Sequence, residues 1–146
     1  MGGMEEEGIL GWEVGVCSEK GIKSKNEDRA VHSLHPTIPA LEKGNGAGLF
    51  GLFDGHAGDQ VSEYLSAYSL DALASHPLLL TNPSQAILEV CQSLDDTILD
   101  LCEEKKWLSG STATFIVIHN STLTLGNLGD GLCLLSRGED SLVVFL

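Results

Sequence analysis

Asp54, Gly55 and His56 stand at a break in the pattern of the chain. The apolar run Ala47 to Phe53 ends there, and a segment with helical spacing follows after Ala57 and Gly58. An aspartate at the end of a buried strand is costly unless it is paired, hydrogen-bonded or bound to a metal. A glycine beside it lets the backbone come close to a ligand, so that its carbonyl can act as a hard oxygen donor. A histidine adds a side chain that can donate a proton. The plainer reading is an aspartate that turns a strand into a helix N-cap. These residues alone leave both readings open.

Two more acidic clusters have the same setting. Asn26, Glu27, Asp28 and Arg29 follow a lysine-containing loop. Asn127 to Gly131, with Asp130, closes a segment of strand-like alternation. Carboxylates at the ends of several strands are the donor type that a hard cation such as Mg2+ or Mn2+ takes. Residue types do not establish that they converge.

The elements that must position these residues follow from periodicity. Trp12 to Cys17 alternates and predicts a strand. Asp28 to Leu34 is a weaker strand, His35 to Gly46 a loop, and Ala47 to Phe53 a strand buried on both faces. Val61, Leu65, Tyr68 and Ala72 recur at helical spacing and predict one apolar face. A second helix opens at Asn82, with Pro83 at its first position and Gln85 completing a capping-box pattern. Its inward stripe is Ile87, Cys91, Leu94, Ile98 and Leu101, with Asp95, Asp96 and Asp100 solvated. Thr112 to His119, Thr122 to Leu128, Leu132 to Arg137 and a last run from Ser141 predict a meander, with turns at Asn120-Ser121 and Asp130-Gly131. Strands, then two adjacent helices, then strands predict an α+β fold with antiparallel sheets.

Composition removes several classes. The chain has 146 residues and a net charge of −13, so nucleic acid and anionic membrane are poor partners. No stretch approaches the ~20 apolar residues of a membrane helix. The first residues, with Glu5, Glu6 and Glu7, lack the apolar core of a secretory signal, which predicts an intracellular protein, cytoplasmic or nuclear. Residues 1–11 read as an acidic tail and 12–146 as the folded part. Cys17, Cys91, Cys102 and Cys133 form no C-x-x-C pair, which argues against zinc and for reduced core cysteines. Gly46 to Gly51 fits G-x-G-x-x-G, but it leads into a strand instead of opening a helix. A hydrolase triad of Ser111, His56 and Asp54 lacks the G-x-S-x-G elbow.

The order of these motifs resembles the N-terminal part of the protein phosphatase 2C family, the metal-dependent PPM-type serine/threonine phosphatases. The resemblance runs from Trp12 to the end. It passes through Asn26 to Arg29, Leu49 to Gly58, Ser109 to Ala113 and Asn127 to Asp130. It implies a layered sandwich of antiparallel β-sheets flanked by helices, cut before its C-terminal half. It implies hydrolysis of phosphoserine and phosphothreonine in proteins by a metal-activated water, with two Mg2+ or Mn2+ ions. Asp54 would bridge the ions and Gly55 would offer its carbonyl. Glu27 and Asp28 would hold metal-bound waters, and Asp130 would support the site or a third ion. His56 would be the general acid, and Thr112 would line the site.

The chain departs from that family in four places. Lys23 stands where an arginine usually holds the substrate phosphate; it keeps the charge but loses the bidentate fork. Ala57 replaces a glycine and Gly131 a serine. No further Asp-Gly or Asp-Asn motif follows Asp130. The expectation is therefore that activity belongs to a longer parent, that this chain is weak or inactive, and that its uncovered sheet edges favour association. The competing expectation is a non-catalytic, phosphatase-like binding or regulatory module.

Overall fold

The computed structural model describes residues 13–34, 47–136 and 144–145. Its largest element is a four-stranded antiparallel sheet in the order β1-β2-β5-β6. β1 is Arg29–Ser33, β2 Ala47–Phe53, β5 Ala113–His119 and β6 Thr122–Leu128. β3 (Gly55–His56) pairs with β4 (Gly110–Ser111), and β7 (Leu134–Leu135) pairs with β8 (Val144–Phe145). Two helices, α1 (Gln60–Ala74) and α2 (Pro83–Lys105), lie between β3 and β4 in the chain. This is the α+β class that the sequence pattern predicts.

Alternation in β2 and β5 gives the sheet a buried face. Leu49 and Phe53 point the same way as Phe115 and Val117, which pair in register with their neighbours, and all four are buried. Phe53 and Phe115 meet edge-on with ring centroids 5.5 Å apart. α1 and α2 cover this face through Val61, Leu65, Leu73, Ile87, Val90 and Leu94. The opposite face carries Phe50 and Leu52 in β2, Ile116 and Ile118 in β5, and Leu123 in β6. His32 of β1 stacks on Phe50 there, at 6.4 Å. Leu52 is 47% exposed, so β2 is not buried on both faces as its continuous apolar run predicts. The described helices cover one side of the sheet only.

The helices differ from expectation in detail. The buried stripe of α1 is Val61, Ser62, Leu65, Ser69 and Leu73, and Tyr68 is 55% exposed against Tyr64. Residue size decides this: Ser62 and Ser69 admit a closer approach to the sheet than a tyrosine would. In α2, Ala86 and Val90 are buried with Ile87, Leu94 and Ile98, while Cys91 and Leu101 are half-buried. Asn82 caps α2 as predicted, its side chain accepting from the Gln85 amide. Gln85 does not complete the box; its side-chain Nε2 donates to Glu89 Oε1. Lys106 ends α2 in the left-handed region.

The β5–β6 turn is formed by Asn120 and Ser121, both at positive φ, as a two-residue hairpin requires. Three expectations fail at the ends of the chain. Residues 13–17 form no strand: Val14 and Val16 are exposed and no strand pairs with them, so alternation alone finds no edge to join. The strand predicted over Leu132 to Arg137 shortens to β7, which leaves the main sheet and pairs with β8. Cys17 is exposed, not a core residue, and the other three cysteines are half-buried; all four are free thiols. Burial, then Asp95, pushes the Cys91 thiol up. The acidic tail, residues 1–11, and the predicted loop from His35 to Gly46 lie outside the described residues.

Candidate functional site

The site forms where β2 ends and α1 begins. Asp54 follows β2, and its backbone is held twice by Thr112. The Asp54 amide donates to Thr112 Oγ1 (3.1 Å), and the Thr112 amide donates to the Asp54 carbonyl (3.0 Å). Gly55 and His56 then pair with Ser111 and Gly110. The exposed His56 ring lies over Gly110, where a Cβ would stand 2.5 Å from Nε2.

The loop before β1 closes on this turn. A Cβ at Gly55 would meet the Glu27 carbonyl at 2.5 Å and Ser62 Oγ at 2.8 Å, so only glycine admits the loop there. Ser62 Oγ donates to the Glu27 carbonyl at 2.6 Å, and Glu27 Oε1 accepts from the Gly58 amide at 2.7 Å. Gly58 and Ala57 both have positive φ, 126° and 56°, which bends the chain sharply into α1.

Asp28 and Asp54 lie close enough for their carboxyl groups to influence each other. Partial burial first, then the charge and hydrogen bond of Asp54, hold the Asp28 carboxyl above its ordinary value. Glu27 adds to this and Lys23 opposes it. Lys23 Nζ stands 4.0 Å from Glu27 Oε2 on the exposed side, a pair that contributes little to stability.

Asp130 is exposed on the turn after β6. Asn127 Nδ2 holds that turn by donating to the carbonyls of Gly129 and Gly131. Gly129 packs against Thr112, so the turn adjoins the support of Asp54. Among the described residues no hydrogen bond or ion pair joins Asp130 to Glu27, Asp28 or Asp54. The structure thus brings together Lys23, Glu27, Asp28, Asp54, Gly55 and Thr112, and leaves Asp130 at the margin. Among the described residues, no three His, Cys, Asp or Glu side chains gather as a cation would require.

Sequence reasoning misses Asp59 and Ser62. Asp59 is buried, and its Oδ2 accepts from Lys25 Nζ at 2.6 Å and Arg29 Nη2 at 2.8 Å. The hydrogen bond from Lys25 is the largest influence on Asp59; with help from Arg29 it holds the carboxyl below the usual range against the effect of burial. Arg29 Nη1 also donates to the carbonyls of Asn26 (3.0 Å) and Asp28 (2.9 Å). An aspartate at a helix start reads as an ordinary cap, and a buried serine carries no signal in a helical pattern.

The protein phosphatase 2C family model matches residues 12–144. The chain belongs to the protein phosphatase 2C family. "Probable protein phosphatase 2C 69" of Arabidopsis thaliana is 29% identical over 143 residues, covering 98% of this chain and 38% of that protein. "Probable protein phosphatase 2C 28" of Arabidopsis thaliana is 38% identical over 99 residues, covering 67% of this chain and 29% of that protein. The crystal structure of serine-threonine phosphatase 2C from Toxoplasma gondii superposes with a TM-score of 0.73 at 22% identity. That match covers 89% of this chain and 47% of the Toxoplasma chain, and it shows the same fold. The chain therefore spans less than half the length of these phosphatase 2C relatives.

Proposed function

We propose that this chain carries part of the active site of a metal-dependent protein serine/threonine phosphatase, with residues 12–146 as part of the catalytic domain. The carrying observation is the closure of the Glu27–Asp28 loop on the Asp54–Gly55 turn, within a phosphatase 2C fold. Two carboxylates pressed together raise the cost of ionising both, and a hard divalent cation relieves that cost. Carboxylate and carbonyl oxygens are the donor type that Mg2+ or Mn2+ takes. Asp54 and the Gly55 carbonyl would hold such an ion directly, and Glu27 and Asp28 would hold it through water. Asp130 would support the site, or a third ion, through the turn that adjoins Thr112.

Such ions, when bound, would supply an activated water and positive charge for the phosphoryl oxygens. The protein's own residues do the rest. Lys23 supplies a positive charge for the substrate phosphate. His56, held over Gly110, supplies a proton to the leaving serine or threonine oxygen. Thr112 keeps Asp54 in place through both backbone hydrogen bonds. The substrate is a phosphorylated protein, and no described helix is long and apolar enough to cross a membrane.

A second reading, a non-catalytic binding or regulatory module, has one observation in its favour. Among the described residues no three His, Cys, Asp or Glu side chains form a group that could hold a metal ion. Mn2+-dependent release of phosphate from a phosphothreonine peptide separates the two, measured on this chain and on a longer polypeptide that joins it to the rest of a phosphatase 2C domain. The longer polypeptide should be active and the 146-residue chain near background. A folded longer polypeptide with no Mn2+-dependent release would sink the enzymatic reading.

A further inference from the structure

Asp59 and Glu27 have exchanged the places their carboxylates would ordinarily take. Asp59 is the N-cap of α1, yet its side chain makes no cap hydrogen bond. A capping aspartate usually accepts from the amides of the first helical turn. Here it reaches back to Lys25 on the loop and Arg29 at the start of β1. The loop's own carboxylate, Glu27, reaches forward and takes the Gly58 amide at the entry of α1. Ser62 closes the exchange by donating to the carbonyls of Glu27 and Asp59.

Arg29 is the centre of this bracket. Its guanidinium binds the carbonyls on either side of Glu27, those of Asn26 and Asp28, while holding Asp59. A planar fork can hold three such oxygens; a lysine ammonium on a flexible stem cannot reproduce the arrangement. The loop is thereby wrapped around one cation with Glu27 and Asp28 turned toward Asp54 and Gly55.

We infer that Asp59 is a positioning residue: through Arg29 and Lys25 it sets the loop that aims Glu27 and Asp28 at the Asp54–Gly55 turn. The inference rests on the proposed metal-dependent reading for its functional meaning. Its structural content, the hold on the loop, can be measured without metal. A bracket differs from a general electrostatic effect, because Arg29→Lys keeps every charge and the pair with Asp59 but loses the hold on two carbonyls.

The test uses the 146-residue chain with the variants Asp59→Asn and Arg29→Lys. Amide hydrogen exchange is followed at Gly58, whose amide is held by Glu27, and in the middle of α1 and α2. In both variants the Gly58 amide should exchange about tenfold faster or more, the loss of a charge-assisted hydrogen bond, while the helix interiors keep their rates. Wild-type exchange at Gly58 in either variant overturns the bracket. So does equal acceleration throughout both helices, which would make Asp59 a stabilising residue only. Mn2+ titration by calorimetry is run on the same samples, and affinity should fall about tenfold in both variants. A wild-type chain that binds no Mn2+ would count against the metal reading, while exchange at Gly58 still decides the bracket.

Discussion

α1 and α2 start on residues of the same capping type, and the two starts are used differently. Asn82 accepts from the Gln85 amide, so its side chain serves its own helix. Asp59 makes no side-chain cap to its own helix and binds two cations some thirty residues earlier, Lys25 on the loop and Arg29 at the start of β1. The entry to α1 is instead satisfied from outside, by Glu27 on Gly58. It is also reached through Ala57, a non-glycine residue at a φ of 56°. The start of α2 is a local device that stabilises a helix. The start of α1 gives up local stability to hold an acidic loop against the end of β2. Departures of this kind collect where a fold carries chemistry.

Gly55→Ala should separate the two starts most strongly. The new Cβ would collide with the Glu27 carbonyl, a backbone atom that cannot move aside alone. The expected loss is about 3 kcal/mol in urea denaturation, with the α2 cap untouched.

Asp59→Ala comes next. It removes the buried partner of Lys25 and Arg29 and should cost about 2 kcal/mol. Its pH dependence has a definite sign. The Asp59 carboxyl is held below its ordinary value of 3.8 in the fold. Its stabilisation is therefore full above the unfolded value and is lost as pH falls through the folded one. Wild type should lose stability more steeply than Asp59→Ala below about pH 4. Equal slopes would show that Lys25 and Arg29 do not depress Asp59.

Asn82→Ala, the matching change at α2, should cost about 1 kcal/mol. It should leave exchange at Gly58 and the acid limb unchanged. The smallest effect is a gain. Ala57→Gly relieves a left-handed alanine and should stabilise by up to about 1 kcal/mol, read as a higher Tm. A loss there would mean that the Ala57 methyl makes a contact worth more than the backbone strain.

What the sequence reveals of this molecule follows how local each signal is. The Asn82–Pro83 start, the Asn120–Ser121 turn, and β2, β5 and β6 are carried by neighbouring residues, and they stand where pattern and turn chemistry put them. Acidic motifs at the ends of strands single out Glu27, Asp28 and Asp54 as candidates by residue type, but only the order of motifs shared with a family links them to one site. Alternation over Trp12 to Cys17 misleads, because a strand needs an edge to pair with and no periodicity supplies one. Tyr68 misleads because a helical stripe counts polarity, whereas packing against the sheet selects the small Ser62 and Ser69. Asp59 escapes notice because its partners lie far off in sequence. At a helix start its type already has a sufficient local explanation.

The hydrogen bonds that build the site are long in sequence. Gly58 reaches Glu27 across 31 residues, Ser62 reaches it across 35, and Asp54 reaches Thr112 across 58. Each closes a large loop, and that entropy must be spent before any of these bonds can form. The hairpin of β5 and β6 and the first turn of α2 need no such closure. The acidic loop should therefore dock late on the folding path, after the sheet and α2 have begun to form. Changes within it would then act mainly on how fast the native state opens, and little on how fast it is reached.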